Sequence, residues 1–74
     1  MIVLTNNERM GKNIFHLRQK HNLSQESFCK QVGIDIPRLD AIEKGILFEI
    51  DAQILINICR QFEIDLETVM DKTI

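Results

Sequence analysis

The sequence contains no tryptophan, no tyrosine, a single proline and only three glycines in 74 residues. Its aromatic residues are Phe15, Phe28, Phe48 and Phe62 alone, so a core has to be built mainly from isoleucine, leucine and valine. A basic excess is also missing: nine Lys and Arg stand against eleven Asp and Glu, a formal net charge of −2. Nucleic-acid binders that grip phosphates draw much of their affinity from counterion release, and a basic surplus is the usual footprint. The acidic balance counts against strong non-specific binding, although total charge says little about any one face. No apolar run approaches the ~20 residues of a membrane span, and the N-terminal MIVLT lacks the basic region and length of a signal peptide. Cys29 and Cys59 lie far apart inside apolar helical patterns, without metal-ligand or dithiol spacing, and read as buried, reduced thiols of a cytoplasmic protein. There is no phosphate loop, and His16 and His21 have no nucleophile or carboxylate at a telling spacing. Enzymatic activity, a cofactor and a metal site are therefore not expected.

What is present is helical periodicity. The length suits one small domain over 1–74, near the lower limit at which a core forms without covalent staples, and leaves no room for a separate ligand-sensing domain. Met10, Ile14, Leu17 and His21 recur at helical spacing, and Thr5-Asn6-Asn7-Glu8 fits a capping box before them. Gly11 inside that run points to close packing. Ser24 is a good N-cap with Glu26 in the following first turn, and Phe28, Cys29 and Val32 share a face. Gly33 is suited to the left-handed conformation that ends a helix. Ile34 re-enters the core, Asp35 is placed to cap the next helix, and Pro37 is tolerated in its first turn. Leu39 and Ile42 form the inner face of that helix, and Gly45 stops it. Asp51 can cap a fourth helix with Ala52, Leu55, Ile58, Cys59 and Phe62 on a wide apolar face. Asp65 can cap a short last helix with Leu66, Val69 and Met70 pointing inward. The expectation is an all-α bundle of five short helices at about 6–21, 24–32, 36–44, 51–62 and 65–72. Two β-prone pieces, MIVLT and ILFEI, either pair as strands within a chain or across a dimer, or form a frayed terminus and an apolar loop.

The stretch Leu23–Gly45 carries a further pattern. Gly11, Ile14, Leu17 and Arg18 are followed by Leu23-Ser24-Gln25, Cys29, Gly33-Ile34, and then Leu39, Ile42, Glu43 and Gly45. In this order and spacing the chain resembles the Xre/Cro/CI-type helix-turn-helix family, the lambda-repressor-like DNA-binding domains, over residues 10–70. Physically, Phe28, Val32, Ile34, Leu39 and Ile42 must face one core, which fixes the two helices at roughly 90–120°. The resemblance also implies an ion pair between Arg18 and Glu43, against the alternative of two solvated surface charges.

By resemblance the chain is a sequence-specific transcriptional regulator, probing the major groove of double-stranded DNA with its third helix and acting as a homodimer. The matching positions are Ile36, Pro37, Arg38, Asp40 and Ala41 on that helix, with Ser24, Gln25 and Lys44 toward the phosphates. Of the base-facing set only Arg38 is a good reader, through guanine. Ile36, Pro37 and Ala41 suit thymine methyl groups, and Asp40 meets phosphate repulsion unless it accepts from cytosine. The following loop, polar in most relatives, is Ile46, Leu47, Phe48 and Glu49 here. An alternative is therefore a helix-turn-helix repurposed for a protein partner through an apolar patch at Ile36, Pro37, Ile46, Leu47 and Phe48, with Ile54 nearby.

Overall fold

A computed structural model of the chain describes residues 3–5, 8–46 and 49–71. In chain order these form β1 (Val3–Thr5), α1 (Glu8–Lys20), α2 (Gln25–Val32), α3 (Ile36–Glu43), β2 (Glu49–Asp51), α4 (Ala52–Phe62) and α5 (Leu66–Asp71). The spacing of apolar residues sets which faces turn inward. Met10, Ile14 and Leu17 of α1, Phe28, Cys29 and Val32 of α2, and Leu39 and Ile42 of α3 are all buried. They meet Leu55 and Ile58 of α4 and Val69 of α5 in a single core. The architecture is the expected all-α bundle with one addition. β1 and β2 pair antiparallel, Val3 opposite Asp51, Leu4 opposite Ile50 and Thr5 opposite Glu49, and Ile50 is buried. The two β-prone pieces thus pair within the chain at these residues, and Leu47 and Phe48 lie outside the described residues.

Several helix ends follow the sequence closely. Ser24 adopts an extended backbone and its hydroxyl accepts from the Ser27 backbone N–H at 3.1 Å. At the other end of α2, Gly33 has φ 81°, and its N–H donates to the Cys29 carbonyl at 2.8 Å. A Cβ there would meet Asn57 Nδ2 at 3.8 Å, an ordinary contact. The glycine is required by the backbone angle rather than by room. Asn57 in turn donates to the Val32 carbonyl at 2.9 Å, tying α4 to the end of α2. Asp51 accepts from the Gln53 N–H at 2.8 Å and so caps α4.

Three expectations are corrected. Asp35 occupies the N-cap of α3 but its side chain makes no capping hydrogen bond. The usual donors are the N–H groups at the second and third helical positions, and the second is Pro37, which has none. Asp35 instead faces Arg38 Nε at 3.5 Å. Thr5 belongs to β1 and α1 starts at Glu8, so Thr5 is not the cap, and Asn6 and Asn7 lie outside the described residues. Leu66 is exposed; Ile64, just before α5, packs against the core in its place.

Asn13 is the buried polar residue that sequence periodicity misses. It is 2% exposed, and its Nδ2 donates to the Val69 carbonyl at 2.8 Å and the Thr68 carbonyl at 3.3 Å. The last carbonyls of a helix have no partner within it, so this amide docks α5 onto α1. Asn13→Leu keeps the branched shape, at a larger volume, and loses the donor. It is expected to lower stability by about 1–3 kcal/mol in a urea titration; an unmoved midpoint would show the amide to be dispensable.

Candidate nucleic-acid interface

The turn at Gly33–Asp35 joins α2 to α3, and Leu39 and Ile42 pin α3 from below. At 100° per residue the opposite face of α3 presents Pro37, Asp40 and Ala41, continued by Lys44, with Ile36 and Arg38 on its flanks. Pro37, Arg38 and Lys44 are exposed, and Asp40 and Ala41 are half-buried. Ser24 is exposed beside half-buried Gln25 at the start of α2. The fold therefore brings all eight expected contact residues onto the α2–α3 pair.

Beneath that face lies a tight polar seam. Arg18 of α1 donates from Nε to Glu43 Oε2 at 2.7 Å and from Nη2 to Glu43 Oε1 at 3.0 Å. Its Nη1 donates to the Leu23 carbonyl at 2.9 Å, and the guanidinium lies 5.3 Å from the Phe15 ring centroid. The side chains of Arg18 and Glu43 are only 14% and 5% exposed, so the pair is structural rather than a solvated surface contact. Hydrogen bonding to Glu43 raises the pKa of Arg18 against the opposing effect of burial.

The seam continues outward. Gln25 Nε2 donates to Glu43 Oε1 at 3.2 Å and to Asp40 Oδ1 at 3.1 Å, and Lys44 Nζ reaches Asp40 Oδ2 at 2.9 Å. Phe15, Arg18, Gln25, Asp40, Glu43 and Lys44 line a hollow of about 240 Å³ there. Hydrogen bonds from Lys44 and then Gln25 hold the Asp40 carboxyl below its ordinary range, and Asp40 raises Lys44 in return. The i,i+4 spacing of Asp40 and Lys44 was readable as a helical pair. The engagement of Gln25 by the same carboxylate was not, because it crosses from one helix to another.

The cations around the face are locally matched. Arg38 pairs with Asp35, Lys44 with Asp40, Lys30 with Glu26 at 3.3 Å and Lys12 with Glu8 at 3.3 Å. The apolar patch expected here is not continuous among the described residues. Ile36 and Ile46 are 43% and 67% exposed, but they flank opposite ends of α3, a helix about 12 Å long, with the Asp40–Lys44 pair between. Ile54 is half-buried against the core, which leaves it little free surface. The two thiols do not contribute: Cys29 is buried, Cys59 is half-buried, and burial pushes both upward in pKa. Among the described residues no helix is long and apolar enough to cross a membrane.

A family model described as helix-turn-helix matches residues 14–69. No curated protein matches the chain, whereas solved structures do. The SinR protein/SinI protein complex matches with TM-score 0.77 and 19% identity over 85% of this chain; the chain spans only 61% of that one. SinR in complex with DNA matches with TM-score 0.74 and 18% identity, covering 81% of this chain and 95% of that chain; SinR is a Bacillus subtilis protein. The P22 c2 repressor in complex with a synthetic operator matches with TM-score 0.76 and 19% identity, covering 85% of this chain and 94% of that chain. At such identities the likeness is one of fold, and it agrees with the family match. The chain belongs to the Xre/Cro/CI-like helix-turn-helix family.

Proposed function

We propose that the chain is a sequence-specific, DNA-binding transcriptional regulator that lays α3 in the major groove of double-stranded DNA. The observation that carries this reading is the pinned α2–α3 pair, with one face of α3 and the start of α2 turned to solvent. Relatives of the same fold include one solved with DNA and one solved with an operator. In this reading Arg38 reads guanine, Ile36, Pro37 and Ala41 touch thymine methyl groups, and Ser24, Gln25 and Lys44 approach the phosphates. With so few base readers, one copy gives little affinity. A homodimer on two half-sites supplies the rest, in the cytoplasm, with no catalytic step and no cofactor.

Titrating a fluorescent random-sequence duplex with the protein at low salt tests this. Binding is expected to weaken linearly in log–log with salt, by about 0.9 per phosphate neutralised. Arg38→Ala is expected to cost about 1–3 kcal/mol, or roughly fivefold to 150-fold, on a duplex selected from that pool. A folded protein that binds no duplex at low salt would overturn the reading.

A second reading has its own observation. Ile46 and Ile36 are exposed while Arg38 and Lys44 are each matched by a carboxylate, which suits a protein partner, and one relative was solved as a protein–protein complex. The same titration separates the two, because failure on every duplex leaves the partner reading standing.

A further inference from the structure

We propose that Asp40 is an internal competitor for phosphate, a carboxylate that occupies the donors of Gln25 and Lys44 in the free protein and thereby sets DNA affinity low. This rests on the DNA-binding reading above and deepens it by naming a residue that weakens the contact.

Asp40 Oδ1 accepts from Gln25 Nε2 at 3.1 Å, and Oδ2 accepts from Lys44 Nζ at 2.9 Å. An amide N–H and an ammonium offered side by side are the donors that protein side chains commonly present to a DNA phosphate. Here both converge on an anion carried by α3 itself, and one of the two bonds bridges α2 to α3. The Asp40 side chain is 39% exposed, so it remains in contact with solvent and its donors can exchange partners. Like an ordinary aspartate it is ionised at neutral pH, and hydrogen bonds first from Lys44 and then from Gln25 lower its pKa further. A phosphate arriving at this edge must take both donors from Asp40 and then sit close to the carboxylate it displaced. Glu43, which shares Gln25 Nε2 with Asp40 at 3.2 Å, offers no such exchange: it is 5% exposed and held by two Arg18 bonds.

The competing role for Asp40 is base reading, in which its carboxylate accepts from the exocyclic amine of cytosine. The two roles give opposite signs. Asp40→Asn keeps the shape and removes the charge, so a competitor predicts tighter binding and a reader predicts looser binding to the preferred sequence.

The test is fluorescence anisotropy with the full chain, using a random pool of duplexes and the best sequence selected from it. Releasing one cation for phosphate adds about 0.9 to the salt slope, equivalent to about tenfold tighter binding near 0.1 M salt. Asp40→Asn is expected to show that gain on both the pool and the selected duplex, with Asp40→Ala in the same direction. In a Lys44→Ala background the gain from Asp40→Asn is expected to shrink by several-fold, because the released cation is no longer there. Circular-dichroism melts confirm that each variant is folded. If the wild type binds DNA but Asp40→Asn binds no tighter, or loses the selected sequence, or gains as much without Lys44, the competitor role fails and the DNA-binding reading survives. If neither wild type nor variant binds any duplex, both fall together.

Discussion

Glu43→Ala lowers the stability of the fold by about 3 kcal/mol, the cost of stranding one member of a buried ion pair. For a domain of this size each kcal/mol moves the melting temperature by roughly 4–8 °C, so the variant melts well over ten degrees below the wild type. The cause lies in what the carboxylate leaves behind. Arg18 loses two hydrogen bonds of 2.7 and 3.0 Å and keeps one, to the Leu23 carbonyl. At 14% exposure its charge is only weakly compensated by water. Gln25 loses an acceptor as well. Arg18→Lys is not a mild change at this site, because an ammonium cannot make the two parallel bonds of a guanidinium. The double replacement Arg18→Met with Glu43→Leu is expected to recover most of the loss, since a buried pair exchanged for apolar residues of similar size is often close to neutral. Urea unfolding of the four proteins reads this out. A Glu43→Ala midpoint within about 0.5 kcal/mol of wild type would instead place the pair among ordinary surface contacts.

Phe28→Ala has an effect of the same order or larger, about 3–5 kcal/mol. Phe28 is fully buried and stacks on Phe62 with centroids 5.5 Å apart and planes 10° from parallel. His21 caps the same column, its ring centroid 4.8 Å from that of Phe62. One side chain thus joins α2 to α4 and, through Phe62, to the end of α1. A domain of this length holds only about 4–11 kcal/mol in total, so Phe28→Ala removes at least about a quarter of that stability. Phe28→Leu, closer in volume, is expected to cost much less. Chemical denaturation followed by circular dichroism separates these two outcomes. Equal losses for both would mean that the ring contributes little beyond its apolar area.

Much of the scaffold could be read before any coordinates because it is local. Met10, Ile14 and Leu17 recur at helical spacing, and Gly33 sits where an aliphatic pair must turn a corner. Gly33 ends α2 in the left-handed region that glycine favours, whereas α4 ends at Glu63, a non-glycine at φ 54° that no local preference announces. The misreadings share one origin, a neighbour that periodicity does not see. Asp35 looked like a cap until Pro37 is recognised as removing one of its two donors. Asn13 draws no expectation from periodicity, and it is buried because its partners are carbonyls 55 and 56 residues away. Leu66 follows the inward pattern of Val69, yet Ile64 takes the core contact ahead of it.

The proposed site is legible in the sequence as positions and not as chemistry. Ser24, Gln25, Arg38 and Lys44 can be placed by resemblance, but the carboxylates that engage the last three, Asp35, Asp40 and Glu43, come from the folded arrangement. Formal charge warned that the surface was not basic; the structure adds that Arg38 and Lys44 are each held by a carboxylate on or beside their own helix.

The most direct measurement of the central claim is a nitrogen–proton NMR titration of the labelled chain with a short selected duplex at low salt. The account predicts shift changes concentrated at Ser24, Gln25 and residues 36–44, including the Gln25 side-chain amide as it leaves Asp40, with α4 and α5 largely unmoved. Changes centred on α4 or α5 with α3 unaffected, or no change at saturating duplex, would contradict it.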